Sequence, residues 1–266
     1  MRITGISRAR LAVAGLLVAG LMVAKPAVAA DEILVTDLGG TDVIIELGLR
    51  GAAKPAFEGS DEILFAVAPL VKLEYLDLPG LITIGGGPKR AFSFRPSFNI
   101  IGEREGDDIA RGLSDVDTAV EVGFGASYRV GAFRAVGEVR RGFGGHDGVV
   151  GEAGVDVVLE PNSEFSVSFG PRASFASDSY ADTYFTVAPD DAAASGLPVF
   201  DADGGLKGLG VAAEARYAVN EDWTVYADAS WTRLVEDAAD SPITQNEDQF
   251  EVGIGLTRKF RFDLFD

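Results

Sequence analysis

The chain has 266 residues, no cysteine, one histidine, and 23 basic against 41 acidic side chains, for a formal net charge of −18. Without cysteine there is no disulfide framework and no thiolate metal site, and a single histidine removes most imidazole-based catalysis and metal binding. So acidic a chain is also unsuited to nucleic acid, whose recognition needs basic surface.

The N-terminus reads as a secretory signal peptide over residues 1–29. Arg2, Arg8 and Arg10 form a basic lead, Leu11 to Ala24 an apolar run, and Ala27-Val28-Ala29 a small-x-small cleavage site. The apolar core is short for a membrane-spanning helix. Residues 30–40 are polar and read as a periplasmic lead-in. After the signal no apolar run approaches the length of a transmembrane helix, so spanning a membrane would fall to strands closed into a barrel. A transmembrane antiparallel β-barrel is therefore predicted over residues 41–266.

Period-two alternation carries that prediction, because successive side chains of a strand point to opposite faces. Val43, Ile45, Leu47 and Leu49 alternate with Asp42, Glu46, Gly48 and Arg50 in a first strand. Pro55 to Asp61 is a loop. The second strand runs from about Ile63 to Leu76, with Pro69 awkward for a central position. Asp77 to Gly80 is a turn, and strands three and four are placed on either side of Gly85-Gly86-Gly87-Pro88. Gly102 to Asp115 is a long polar stretch. The fifth strand sets Val120, Val122, Phe124, Ala126, Tyr128 and Val130 against Glu121, Gly123, Gly125, Ser127 and Arg129. The sixth carries Arg134, Glu138 and Arg140 on its polar face. The seventh (Val149 to Glu160) and eighth (Phe165 to Phe175) repeat the pattern. Ser179 to Val187 is read as a short ninth strand, Ala188 to Gly205 as a long loop, and Leu209 to Val219 as the tenth strand. Trp223 to Trp231 forms the eleventh, Glu236 to Asp248 another long loop, and Gln249 to Phe262 the closing strand. The total is about twelve strands of roughly ten residues, an even number as in bacterial barrels.

The two faces have different destinations. Val122, Phe124, Val155, Phe169, Val225 and Ile254 are predicted to face lipid, and Glu121, Arg129, Glu138, Glu152, Arg172 and Arg216 the lumen. The lumen set mixes both signs of charge. Such residues can pair across strands and fill a small barrel, whereas a wide channel for one class of solute would segregate charge. Trp223 and Trp231 share one face and lie roughly 20 Å apart along the barrel axis, the spacing of two aromatic girdles. With both termini periplasmic, counting hairpins puts Ala188 to Gly205 and Glu236 to Asp248 outside and Gly102 to Asp115 on the periplasmic side. Either strands three and four are miscounted by one, or Gly102 to Asp115 is a long periplasmic loop open to a periplasmic partner. The count sets Asp107 and Asp191 on opposite sides of the membrane.

Catalytic, cofactor and metal chemistry find little support, and no residue is assigned to any of them. His146 beside Asp147 lies in a Gly-Gly-His-Asp-Gly turn and reads as a solvent-facing loop residue. There is no Gly-x-Ser-x-Gly elbow and no Ser-x-x-Lys. Asp201-Ala202-Asp203-Gly204 begins like a calcium loop but lacks the third oxygen ligand and the downstream Glu. Gly85-Gly86-Gly87 is not followed by the Lys-Ser/Thr of a phosphate cradle. Asp190, Asp191, Asp237 and Asp240 read as solvated surface.

Several blocks together resemble the MipA/OmpV family of outer-membrane proteins. They are Tyr184-Phe185-Thr186-Val187, Ala192 to Phe200 with its Ser-Gly-Leu-Pro, Gly204-Gly205-Leu206-Lys207, and Trp223 with Leu234. Glu236 to Ile243, Gln249 and the Gly-x-Gly-Leu of Gly253 to Leu256 complete the C-terminal part. Pro55 to Asp61 is similar to the family's Pro-x-Tyr-Glu-Gly-Ser-Asp, with Phe57 for Tyr, and Arg111-Gly112-Leu113 and Asp115-Val116-Asp117 fit its middle region. The resemblance implies an outer-membrane barrel that is not an enzyme and that serves as a scaffold. Its implied partners are a periplasmic lytic transglycosylase and a bifunctional peptidoglycan synthase. A porin-like channel for small solutes is the alternative. One departure is visible: the family's terminal Tyr-Arg-Phe corresponds to Arg258-Lys259-Phe260, followed here by six more residues, so Phe260, Phe262 and Phe265 are all candidates for a terminal assembly aromatic.

Overall fold

The computed structural model describes residues 42–78, 82–85 and 92–264. The predicted signal peptide, the lead-in, the turn after Gly85 and Phe265 lie outside the described residues. The described chain forms eleven strands and four short helices. In order they are β1 (Val43–Pro55), β2 (Ile63–Leu78), β3 (Ile82–Gly85), β4 (Phe92–Ile101), α1 (Gly106–Ile109), β5 (Ala119–Val130), β6 (Phe133–Gly144), β7 (Val149–Leu159) and β8 (Phe165–Ala176), then α2 (Asp178–Tyr184), α3 (Pro189–Ser195), β9 (Gly205–Ala218), β10 (Trp223–Leu234), α4 (Glu236–Asp240) and β11 (Asp248–Phe262).

All neighbours are antiparallel, in the order β3-β2-β1-β11-β10-β9-β8-β7-β6-β5-β4. β2 also runs alongside β4, so the ten long strands curl into a nearly closed barrel. Among the described residues no hydrogen-bonded ladder joins β2 to β4. That seam makes β2 and β4 edge-like, the position in which a strand tolerates Pro69 and Pro96 without losing ladder bonds.

Two of the twelve expected strands are not spanning strands. β3 has four residues and, among the described residues, pairs only with the end of β2, Tyr75 to Leu78. Ser179 to Val187 is not a strand: Asp178–Tyr184 is helical, burying Tyr180, Ala181 and Tyr184. Tyr180 and Tyr184 are four apart and share a helix face, so tertiary packing selects that period over alternation.

The strand faces divide as the alternation predicts. Val122, Phe124, Val155, Phe169 and Ile254 are exposed on the outer wall and Val225 is half-exposed, whereas Glu121 is buried and Arg129, Glu138, Glu152, Arg172 and Arg216 are half-buried inside. An apolar surface this continuous needs an apolar surrounding, and a bilayer supplies it. Aromatic side chains gather near both ends of the wall. Tyr128, Phe133, Tyr217, Trp223 and Phe262 lie at one end, and Phe65, Phe143, Phe175 and Phe250 at the other. Trp231 pairs with Phe250 in the second belt and donates its indole N–H to Asp248 at 3.0 Å. The two tryptophans of β10 thus stand in opposite girdles.

The register also fixes which connections share an end. Val43 pairs with Phe262. Both ends of the described chain therefore lie with the short turns 131–132, 160–164 and 219–222. The connections 56–62, 102–118, 145–148, 177–204 and 235–247 all lie at the other end. Gly102 to Asp115 is thus on the same side as Asp191, and Ser114 donates to Asp191 at 2.6 Å. The expected opposite placement of Asp107 and Asp191 is corrected. Because β3 does not span, one crossing fewer precedes Gly102; the helix at Asp178–Tyr184 removes a second, which leaves the later loops at the end opposite the described termini, as in the count.

Candidate functional site: a bridged lumen beneath a packed cap

Inside the barrel the mixed charges pair, and the pairs cross the lumen. β2 and β9 stand four strands apart in the ten-strand circuit, on nearly opposite walls. Arg216 of β9 donates to Glu74 of β2 at 2.8 Å and to Glu46 of β1 at 2.7 Å. Lys72 of β2 reaches Glu214 of β9 at 3.6 Å and lies 3.7 Å from the ring centroid of Tyr226. The Tyr226 hydroxyl donates to Glu46, Thr257 does so at 3.2 Å, and Lys259 pairs with Glu74 at 2.7 Å. A fully buried carboxylate such as Glu46 is tolerated only with this many donors around it.

Further groups bridge other parts of the interior. Arg50 bonds Asp228, and Glu251 at 2.7 Å. Asp156, fully buried, takes Arg134 at 2.8 Å and Arg172 at 2.6 Å. Towards the long-loop end Glu121 accepts from Arg140 and Asn99, both at 2.9 Å. Lys54 crosses behind β2 to the Asn99 side chain at 2.6 Å and the Ile100 carbonyl at 2.5 Å. That carbonyl belongs to β4, so a side chain satisfies backbone at the unladdered seam.

Above this network the long connections pack into a cap with its own apolar core. Tyr180, Tyr184 and Phe185 from the α2 segment meet Phe57, Val116 and Leu234. A second cluster joins Leu113, Val187 and Ile243. Polar ties lock the loops together. Arg104 donates to the Tyr184 carbonyl at 3.1 Å, Ser241 to that of Phe185 at 2.5 Å, and the Asp203 amide to Asp237 at 2.8 Å. Asp191 and Asp237, read from sequence as solvated surface, are thus structural acceptors. Ser177, placed to cap α2, instead accepts from the Val149 amide at 2.9 Å, tying the helix to β7. Two clefts open in the cap, one of about 210 Å³ beside Lys207 and Asp237 and one of about 310 Å³ beside Arg104 and Asp191.

His146 requires a second correction. It is 3% exposed, not a solvent-facing loop residue. Its ring meets Tyr180 and Tyr184 edge-on at 4.9 and 5.5 Å, and Nε2 lies 3.4 Å from a Glu121 oxygen. Gly142 makes the room, since a Cβ there would stand 2.1 Å from the imidazole. Beside it Glu58 accepts from Lys207 at 2.5 Å and from the Tyr180 hydroxyl at 2.7 Å. Burial pushes the Tyr180 and Tyr184 hydroxyls well above the usual tyrosine range and draws the Arg104 guanidinium below its own. The only signal in the sequence was the glycine four residues before His146. The residues around His146 join strands and cap: Glu121 on β5, Gly142 on β6, and Tyr180 and Tyr184 on α2. Among the described residues no group of three or more His, Asp or Glu is arranged to hold a metal ion.

The N-terminal β-barrel domain of Pseudomonas aeruginosa OprF is similar at 8% identity and a TM-score of 0.32, covering 83% of this chain and 99% of that one. An outer membrane channel from Pseudomonas putida F1 is similar at 12% identity and a TM-score of 0.43, covering 83% and 96%. Neisserial surface protein A is similar at 11% identity and a TM-score of 0.30, covering 82% and 97%. No curated protein matches the chain in sequence. The family model described as "MltA-interacting protein MipA" matches residues 47–260, most of the chain, and the protein accordingly belongs to the MipA family.

Proposed function

We propose that this outer-membrane β-barrel is a non-enzymatic anchor whose short-turn end faces the periplasm and holds a peptidoglycan-remodelling enzyme at the membrane. The observation that carries the reading is the set of ion pairs running from β2 to β9 beneath a packed cap. A lumen crossed in this way is a poor conduit, which leaves the ends of the barrel to do the work. Long loops outside and short turns inside are the usual arrangement of such barrels. The family's description supports a lytic transglycosylase of the MltA type as the partner. A bifunctional peptidoglycan synthase as a second partner rests on the resemblance alone.

Gly102 to Asp115 no longer qualifies as a docking loop, because it is built into the cap at the end away from the termini. Contact falls instead to the rim that carries Glu160, Glu164, Glu221 and Asp222. The test is retention of a purified lytic transglycosylase by the full chain in detergent. Binding is expected, with loss when Glu164 and Glu221 are both changed to Lys and no loss on changes in the cap; absence of binding by the unaltered chain would sink the proposal. In planar bilayers the chain is expected to show no steady conductance, and a stable open level would favour the channel alternative. Sidedness has its own check. A membrane-impermeant maleimide on whole cells is expected to label both Asp107→Cys and Asp191→Cys and to spare Glu221→Cys.

A further inference from the structure

Among the described residues three arginines fall in step with the apolar outer wall rather than with the lumen. Arg233 follows Trp231 at the long-loop rim and is held by Glu247 at 2.6 Å and Asp248 at 3.3 Å. Arg258 lies near the short-turn end, where it rests on the rings of Trp223 at 5.8 Å and Phe260 at 5.4 Å. Arg141 has neither kind of partner. It is exposed on β6 between Val139 and Phe143, opposite Val122 of β5 and Val149 of β7. No carboxylate, carbonyl or ring among the described residues pairs with it.

Its position makes this consequential. Phe143 belongs to the long-loop girdle and Gly144 ends β6, so Arg141 stands just inside the apolar band. A guanidinium cannot shed its proton, and an outward Arg is costly in lipid unless it reaches the interface. The side chain is long enough to extend past Phe143 to the headgroup layer. The anions available at that depth are lipid phosphates, and the planar fork of Arg matches a phosphate through two hydrogen bonds. The acidic loops above, with Asp147 in the β6–β7 turn, repel a free anion and favour one held in the bilayer by its chains. Below Arg141 the wall is low, because Gly137 has open space in front of it.

We propose that Arg141 binds a phosphate of an outer-leaflet glycolipid of the lipid A class, whose acyl chain lies along the β6–β7 wall. The inference rests on the outward placement of the long-loop end given above. The test is native mass spectrometry of the full chain in detergent, titrated with bisphosphorylated lipid A, its dephosphorylated form, phosphatidylglycerol or inorganic phosphate. Heat-modifiable migration verifies that each variant is folded. Arg141→Gln is expected to weaken lipid A binding about tenfold or more, the worth of a charged hydrogen bond. Arg258→Gln is expected to leave it unchanged, and the dephosphorylated lipid to bind the unaltered chain no better than lipid A binds Arg141→Gln. Equal lipid A binding by the unaltered chain and Arg141→Gln overturns the proposal, as does an equal loss in Arg258→Gln. Phosphatidylglycerol or phosphate binding as well as lipid A overturns the assignment to a glycolipid. The measurement uses neither a periplasmic partner nor an oriented membrane, so its failure is distinct from failure of the anchoring role.

Discussion

The two ends of the barrel solve the same problem differently. At the short-turn end the ladders run almost to the chain reversals, and local bonds finish the turns. Asn220 accepts from the amides of Asp222 and Trp223, both at 2.9 Å, and Asn162 from those of Glu164 and Phe165 at 3.0 and 2.8 Å. At the long-loop end three connections leave the ladders, form helices, and bury a second apolar core over the mouth. One end is a continuation of the sheet and shares its stability. The other is a small folded layer whose core is drawn mainly from the loops and rests on strand ends such as Val150 and Leu234, and it is expected to open at lower cost than the ladders.

The sharpest way to break that distinction is Tyr184→Ala. Removing a large buried aromatic costs about 3–5 kcal/mol. The loss is expected as faster amide exchange over 177–204 and 235–247, with the strands still protected. Exchange rising equally in β5 and β6 would mean that cap and barrel are one cooperative unit. Next in size is Phe124→Arg on the outer wall, expected to cost about 2–4 kcal/mol in refolding into vesicles. It should weaken the barrel as a whole without a preference for the cap. Gly125→Arg, on the lumen side, is not a tolerant control, since a Cβ there would already stand 3.0 Å from Arg95 and 3.4 Å from Glu138.

A pH titration separates the ends again. Burial raises the Tyr180 and Tyr184 hydroxyls above the unfolded tyrosine value near 10. A raised folded value contributes stability that is complete below the unfolded value and is lost as pH rises toward the folded one. The cap is therefore expected to loosen above pH 10, read as exchange or proteolysis in 177–204, and Tyr180→Phe should move the onset upward. The smallest effect is Asn220→Ala, expected to cost about 1 kcal/mol for its turn bonds. It should be felt at the ends of β9 and β10 and not in the cap.

The barrel was readable because each strand stands between lipid and a charged lumen, and those surroundings write opposite residue types at alternate positions. Val122, Phe124 and Ile254 declare one side, and Glu121 and Arg216 the other. The cap was not readable by the same rule, since its residues have no fixed inside or outside until the loops meet. Tyr180 and Tyr184 fit a strand by alternation and a helix by their i, i+4 spacing, and only packing against Val116 and Leu234 decides between them. His146 looked like a turn residue because nothing near it in sequence announces the space that Gly142 leaves. The lumen charges were visible one at a time, but not which of them meet. Arg216 and Glu74 are far apart along the chain and become neighbours only when the barrel curls.

Every long strand from β4 to β10 pairs with the strand that follows it, so most of the wall can zip hairpin by hairpin. The exception is the ladder from Val43–Phe262 to Ala53–Val252, which joins the first strand to the last. That one pairing closes the longest loop in the described fold, and so carries the largest single closure entropy. β1 and β2 pair with each other, yet the second edge of β1 has no partner until β11 arrives. Closure of this barrel therefore waits on its last strand, and an early stop anywhere ahead of Gln249 would leave β1 with one edge unpaired.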